Sequence, residues 1–167
     1  YLPKGWTADP ARLAAEMIER ALAAGVPFRW VAADSVYGVG DIERDLRQAG
    51  KGYVLGVNSN HWFASWGKPQ RVVGTAEEIA KTQRRSDWRR LSAGAGTKGP
   101  RLHDWCYLEL ADLEGEESNH HSQVLWTRGL LIRRNIANGD LAYFTTWCPA
   151  GTSIKTLVSV EGHRWAI

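Results

Sequence analysis

The sequence predicts an α/β fold that begins with alternating helices and buried strands and continues into a mainly β region. Two apolar runs, 28–33 and 53–57, lack the alternation of half-exposed strands, and this pattern is typical of parallel strands covered on both faces. Each run follows an amphipathic segment that ends in glycine. Further on, Asn138-Gly139 separates two apolar segments, which indicates a β-hairpin.

The first helix is expected over residues 9–24. Asp9 can cap its free amides, Pro10 is tolerated in a first turn, and Gly25 follows its last turn. A second helix is expected over 41–49, where Gly50 ends an apolar stripe. Residues 9–57 therefore predict an α-β-α-β unit with two parallel neighbouring strands.

Asp34 directly follows the first apolar run. We predict that it lies at the carboxyl end of a central strand, because ligands of open α/β sheets bind beyond the carboxyl ends of the strands. The alternative is that Asp34 only forms a turn or caps the next helix.

The sequence after residue 57 is predicted to form mostly strands. Thr75 and Glu78 have the spacing of a helix-capping box. The glycine-rich stretch 92–100 is expected to be a loop, 102–110 a strand, and 124–147 a hairpin that turns at Asn138-Gly139. Thr152 or Ser153 should cap a final helix that Gly162 interrupts.

Three blocks of the chain resemble the DDE transposases of bacterial insertion sequences. Residues 25–38 carry Asp34 followed by Tyr37-Gly38, similar to the block of the second catalytic aspartate. Residues 91–105 resemble a middle block. Residues 150–167 resemble the approach to the glutamate-bearing helix, in which Arg164-Trp165 would precede a Glu after Ile167.

The resemblance implies a partial ribonuclease-H-like fold with a mainly β insertion. Its core would comprise residues 1–58 with the second Asp, its insertion 59–148, and the return to the core 149–167, where the Glu-bearing helix starts. The first Asp and the Glu would lie outside residues 1–167, so the chain is expected to be a fragment that is inactive alone.

The resemblance also implies an activity, which is metal-dependent phosphodiester cleavage and strand transfer at transposon ends. Asp34 would be a catalytic residue and a ligand of Mg²⁺ (or Mn²⁺), which prefers oxygen donors and works in pairs on phosphodiesters. The partners would be transposon-end and target DNA, with a homodimer in a synaptic complex.

Basic residues support DNA as the partner, although the net charge is only +3. Lys81, Arg84, Arg85, Arg89 and Arg90 crowd one segment around Trp88, and such clusters suit phosphates while tryptophans can stack on bases. The alternative is a solvated helix face, and for Arg164 a simple ion pair. We expect DNA contacts at Arg84, Arg85, Arg89, Lys98, Arg101 and Arg164.

Other functions are alternatives to transposition, and each explains the sequence less completely or equally well. A catalytically inactive DNA-binding remnant would keep the same basic residues, and a small-molecule α/β enzyme would leave the insertion unexplained. His103 and Cys106 offer zinc donors, as do His120-His121 with Cys148, but no matching second His-x2-Cys pair exists. Ser35 lacks a nucleophile elbow, and Glu161 is expected to be a surface residue.

Two cysteines are too few for a disulfide framework. No apolar stretch approaches the ~20 residues of a membrane helix, and the first residues lack the character of a signal peptide. We expect a bacterial cytoplasmic, nucleoid-associated location without a membrane partner.

Overall fold

The computed structural model describes residues 9–34, 39–65, 73–110 and 124–163. Within these ranges the helices are α1 (Pro10–Ala23), α2 (Val39–Gln48), α3 (Ala76–Lys81) and α4 (Ile154–His163). The strands are β1 (Trp30–Ala33), β2 (Gly52–Val57), β3 (Trp62–Ala64), β4 (Val73–Thr75), β5 (Arg89–Gly96), β6 (Gly99–Leu110), β7 (Trp126–Arg134) and β8 (Leu141–Pro149). A short 3₁₀ turn, Arg85–Asp87, precedes β5.

Six strands form one mixed sheet in the order β1-β2-β8-β7-β6-β5, and β3 pairs with β4 separately. β1 and β2 are parallel, whereas the other neighbours in the sheet are antiparallel. The predicted α/β class is confirmed. Strands from both the predicted core and the predicted insertion belong to this one sheet.

The α-β-α-β order of the first part is also confirmed. Helices α1 and α2 each lead into a glycine with positive φ, +65° at Gly25 and +68° at Gly50, a conformation that glycine adopts with little strain after a helix. Ala33 pairs with Leu55 in parallel register. The carboxyl ends of β1 and β2 therefore lie at the same end of the sheet.

Helices cover both faces of the sheet. Neighbouring side chains of a strand point to opposite faces, so each strand contributes residues to both packed layers. On one face, Leu157 and Val158 of α4 pack in a buried cluster with Val54, Trp105, Leu131 and Phe144. On the other face, Tyr53 and Leu55 pack against α2, and Leu130 and Ile132 pack against α3. Burial of each such leucine stabilises the fold by about 1.5–3 kcal/mol.

The β7–β8 hairpin is confirmed, with pairing from Trp126–Pro149 to Arg134–Leu141. Its connection spans residues 135–140 and includes Gly139 at φ +76°. The predicted caps of α3 and α4 are confirmed as well. The Thr75 hydroxyl accepts a bond from the Glu78 amide at 3.2 Å, and the Ser153 hydroxyl accepts one from the Thr156 amide at 3.2 Å.

Two predictions about glycines are wrong. Residues 92–100 are not a loop, because β5 continues to Gly96 and β6 begins at Gly99, which leaves only Thr97-Lys98 as the turn. Gly162 does not interrupt α4, which continues to His163. In both places the glycines allow close packing that a side chain would prevent.

Among the described residues, no helix combines the length and the apolar character needed to cross a membrane.

Candidate functional site

Asp34 is an exposed residue immediately after β1. It lies where the sequence predicts a ligand-binding carboxylate, at the carboxyl end of a strand that is parallel to its neighbour. β1 is the terminal strand of the described sheet, however, and not a central one. Among the described strands, only β2 pairs with β1, and it does so along one edge.

A groove of about 750 Å³ lies beside β1. Trp30 and Ala32 form its strand side, and residues of α4 form the other: Lys155, Thr156, Ser159, Val160 and His163. The topology explains this arrangement, because Trp147 pairs with Tyr53 near the amino end of β2. The chain thus leaves β8 close to the beginning of β1, and α4 then packs against β1.

The basic residues predicted to contact DNA are mostly exposed, and some of them form ion pairs or hydrogen bonds within the protein. Arg84, Arg85, Arg89 and Lys98 are exposed. Arg84 Nη2 lies 3.4 Å from Asp87 Oδ1, a surface pair of little net stability. The Arg84 backbone amide is the main cause of the lowered pKa of Asp87. Within the described ranges, Arg85 and Arg89 have no ion-pair partner.

Trp88 is half-buried, and a cation lies over its ring. The Arg134 guanidinium lies 4.1 Å from its ring centroid, a distance suited to a cation–π contact. Arg90 and Arg134 both bond to Asp104, at 3.1 and 3.3 Å. The Arg90 hydrogen bond, followed by that of Arg134, lowers the pKa of Asp104.

Arg101 differs from the other predicted contacts because its guanidinium turns into the fold. Arg101 Nη2 donates to the backbone oxygens of Ala93 and Gly162, both at 2.9 Å. Arg164 lies outside the described residues, as do Tyr37-Gly38 of the aspartate block.

Glu161 is buried at 2% exposure, so the expectation of a surface residue is wrong. Its Oε1 lies 2.7 Å from Arg133 Nη1 on β7. Burial raises the pKa of Glu161, while the charges of Arg133 and Arg101 lower it. A sequence signal existed, because Ile154, Leu157 and Val158 form a helical stripe whose next position is residue 161.

A second buried carboxylate, Glu43 on α2, was missed by sequence reasoning. Glu43 Oε1 accepts hydrogen bonds from Tyr53 and Thr145, both at 3.2 Å. Its Oε2 lies 3.3 Å from Arg128 Nη2 on β7. Burial, followed by the charge of Glu43, raises the pKa of Tyr53. Helical spacing places Glu43 beside Ile42 and Leu46, but its partners lie in strands far along the sequence.

The zinc interpretation gains no support in the described ranges, which contain no group of three or more His, Cys, Asp or Glu able to hold a metal. Cys106 and Cys148 are buried free thiols, whereas His120 and His121 lie outside the described ranges. Asp34 offers the oxygen donors that Mg²⁺ prefers. The described residues alone do not assemble a magnesium site around it.

Comparison with known proteins leaves the family open: no protein-family model matches the chain, and no curated protein matches it significantly.

Proposed function

We propose that residues 1–167 form part of the catalytic domain of a DDE-type DNA transposase with a ribonuclease-H-like fold. The observation that carries the proposal is the position of Asp34, exposed and directly after a strand that is parallel to its neighbour. A carboxylate at this edge can reach a ligand beyond the strand ends. This is where a phosphodiester-cleaving site of an open α/β sheet would lie.

The order of elements supports the same proposal. The chain runs α1, β1, α2 and β2, passes through β3–β8, and returns with α4 to pack against β1. In the proposed domain, α4 leads toward the Glu that the resemblance expects after Ile167. That Glu and Asp34 would then serve the same metal site.

A divalent cation, Mg²⁺ or Mn²⁺, would polarise the scissile phosphate and activate the attacking oxygen. Asp34 would supply one ligand, and the other carboxylates would come from outside residues 1–167.

DNA would be held by the exposed cations near β5. Arg85 and Arg89 are the best candidates, since no described carboxylate neutralises them and they lie four residues apart on either side of Trp88. Arg84 and Lys98 would add contacts, as would Arg164 beyond the described residues. Neutralising phosphates releases counterions, so this binding would weaken as salt rises.

A second candidate is a DNA-binding remnant without catalytic activity. It would use the same exposed cations and would not need the carboxylates that accompany Asp34. The remnant would bind DNA through the exposed cations alone, and Arg84, Arg85, Arg89 and Lys98 are exposed in the structure. Cleavage assays separate the two candidates.

The test uses the protein extended to include the first Asp and the Glu. Wild type should cleave DNA carrying the transposon ends when Mg²⁺ is present. Asp34→Asn should abolish cleavage and leave the dissociation constant for DNA nearly unchanged, because it removes a metal ligand but no cation. Wild-type cleavage by Asp34→Asn would refute the assigned site. Binding without cleavage by the wild type would favour the remnant.

A further inference from the structure

The groove between β1 and α4 has a floor made by one large and one small side chain. Trp30 and Ala32 are two positions apart on β1, so they lie on the same face of the strand. Ala32 is small and leaves space beside the Trp30 ring. The volume of the groove, about 750 Å³, lies within the range of roughly 300–1,000 Å³ that is typical of ligand sites. The floor therefore offers an aromatic ring with room for a ligand beside it.

Packing holds the Trp30 ring in place. Trp30 pairs with Gly52 of β2, and the ring lies over that glycine, because a Cβ there would be 2.6 Å from Trp30 Cε3. The ring also packs against the buried cluster that contains Leu157 and Val158 of α4. Trp30 nevertheless stays only half-buried. A ring that is fixed before binding loses little entropy when a ligand stacks on it.

The helix side of the groove is mainly polar. Five residues of α4 form it, at the spacing of one helix face: Lys155, Thr156, Ser159, Val160 and His163. A rise of 1.5 Å per residue places Lys155 and His163 about 12 Å apart along the helix axis. This side can therefore contact several polar groups of one ligand.

The charge of the groove favours an anion. Lys155 is exposed and has no ion-pair partner within the described ranges, and none of the described residues that line the groove is acidic. His163 Nδ1 lies 2.6 Å from the backbone oxygen of Ser159, which can only accept a hydrogen bond. Nδ1 therefore donates, and Nε2 is the ring nitrogen that remains for a ligand.

We propose that this groove binds a nucleotide unit, either free or unpaired within a strand, whose base stacks on Trp30 and whose phosphate pairs with Lys155. Stacking on an aromatic ring and attraction of the phosphate by a cation are the contacts that proteins combine on unpaired nucleotides. The Ser159 hydroxyl and His163 Nε2 provide hydrogen bonds for the sugar or the base edge. An aromatic carboxylate would leave these last two groups without a partner.

This inference goes beyond the proposed function, because it requires neither Asp34 nor a metal ion. The groove is also distinct from the exposed cations near β5, since β1 and β5 are the two terminal strands of the six-stranded sheet. It is tested with the 167-residue chain in the absence of Mg²⁺.

The first experiment follows backbone amide signals by NMR while thymidine 5′-monophosphate is added. Saturable shifts should appear in residues 30–32 and 155–163 and not in α1. Deoxyribose 5-phosphate, which lacks the base, and thymidine, which lacks the phosphate, should each bind about tenfold or more weakly. Equal binding of deoxyribose 5-phosphate, or of benzoate as a simple aromatic anion, would overturn the proposal, as would shifts confined to the region near β5.

Lys155→Ala tests the phosphate contact. It should weaken binding of thymidine 5′-monophosphate by about tenfold, because a charged hydrogen bond is lost, and leave binding of thymidine unchanged. The control is Arg12→Ala, which removes the same charge from the exposed surface of α1 and should change neither. Equal weakening in the two variants would show a general charge effect and contradict a phosphate site at Lys155.

Two variants test the floor of the groove. Trp30→Leu should weaken binding of thymidine 5′-monophosphate by about tenfold or more, because stacking is lost, and leave binding of deoxyribose 5-phosphate unchanged. Ala32→Leu keeps Trp30 and Lys155 but fills the space beside the ring, and it decides the question if Trp30→Leu fails to fold. Ala23→Leu, at the exposed end of α1, is its control. Wild-type binding by Ala32→Leu would overturn the proposal.

A thymidine tetranucleotide distinguishes the two sources of the nucleotide. A strand is the ligand if the tetranucleotide binds in the groove more tightly than its number of units explains, and if Lys155→Ala makes its log–log salt slope shallower by about 0.7. Equal affinity per unit identifies the free nucleotide, and both results support the site. Absence of shifts in residues 30–32 and 155–163 with either ligand would refute it.

The outcomes also separate this inference from the proposed function. An extended protein without Mg²⁺-dependent cleavage would refute the transposase proposal and leave the groove measurements unaffected. A groove that binds no nucleotide would refute this inference, whereas cleavage that depends on Asp34 would still support the transposase proposal.

Discussion

The carboxylate of Glu43 on α2 lies 3.3 Å from the guanidinium of Arg128 on β7, although 85 residues separate the two in sequence. The pair is mostly buried, with 6% and 17% of the side chains exposed. β7 carries a second buried pair on the opposite face, between Arg133 and Glu161. This strand therefore binds both α2, which follows Asp34, and α4, which precedes Arg164.

Removing one partner of the first pair should strongly destabilise the protein. We expect Glu43→Ala to lower the free energy of unfolding by about 3–5 kcal/mol, because it removes the buried carboxylate that pairs with Arg128. It also removes the acceptor of the Tyr53 and Thr145 hydroxyls. Urea denaturation followed by circular dichroism measures the change.

Glu16→Ala is the control for that measurement. Glu16 pairs with Arg12 at 3.0 Å on the exposed surface of α1, and such pairs contribute about 0–1 kcal/mol. Equal losses in Glu16→Ala and Glu43→Ala would contradict the importance of the buried network.

The β7–β8 hairpin should depend on the backbone conformation of Gly139. Its φ is +76°, and a Cβ there would meet no atom within 4 Å. A substitution therefore tests backbone strain alone. Gly139→Ala should cost about 1–2 kcal/mol, and Gly139→Val more, because left-handed conformations are unfavourable for side chains, especially β-branched ones. Thermal unfolding measures both changes.

Asparagine tolerates the left-handed region better than other residues with a side chain. Gly139→Asn should therefore remain close to wild type in the same thermal measurement. A loss in Gly139→Asn as large as in Gly139→Val would show that conformation at this residue is not the cause.

DNA affinity should fall when the unneutralised cations near β5 are removed. Arg85→Ala and Arg89→Ala should each weaken DNA binding and make the log–log salt slope shallower by about 1, because each removes one phosphate contact. Fluorescence anisotropy at several salt concentrations measures the slope. Arg12→Ala, on α1, should leave it unchanged, and an equal effect of all three variants would argue against a defined DNA surface.

Stability at alkaline pH should depend on Cys106. Burial raises the pKa of its thiol to about 11, compared with about 8.5 in an unfolded chain. The fold thus favours the neutral thiol: its contribution is complete below about pH 8.5 and is lost as pH rises toward 11. Cys106→Ala should flatten this alkaline decline in urea denaturation, and an unchanged slope would contradict the burial of a titrating thiol.

The structural features that the sequence predicts correctly are those determined by residues close together in the chain. The helix start at Asp9-Pro10, the parallel pair, the Thr75–Glu78 capping box and the β7–β8 hairpin all follow from neighbouring residues, and the structure contains each of them. The position of Asp34 after β1 belongs to the same group, because an apolar run indicates where a strand ends.

The sequence misleads where distant contacts determine the structure. The glycines of 92–100 indicate a loop in isolation, but they belong to β5 and β6. Two of them, Gly94 and Gly96, lie against the side chain of Arg101, which is bonded to Gly162 sixty-one positions away. Glu161 is charged and was expected at the surface, yet its partner Arg133 lies on another element. Patterns within one segment contain no information about such pairs.

The pairing of β2 with β8 also affects how the chain is made. All six residues of β2 are buried, and their antiparallel neighbour lies roughly 90 residues later. At about 5–20 residues per second, a ribosome needs about 5–20 s to synthesise that interval. During this time the nascent chain carries an apolar strand with one side unpaired, so protein yield in the cell should depend on translation speed and on chaperones that shield β2.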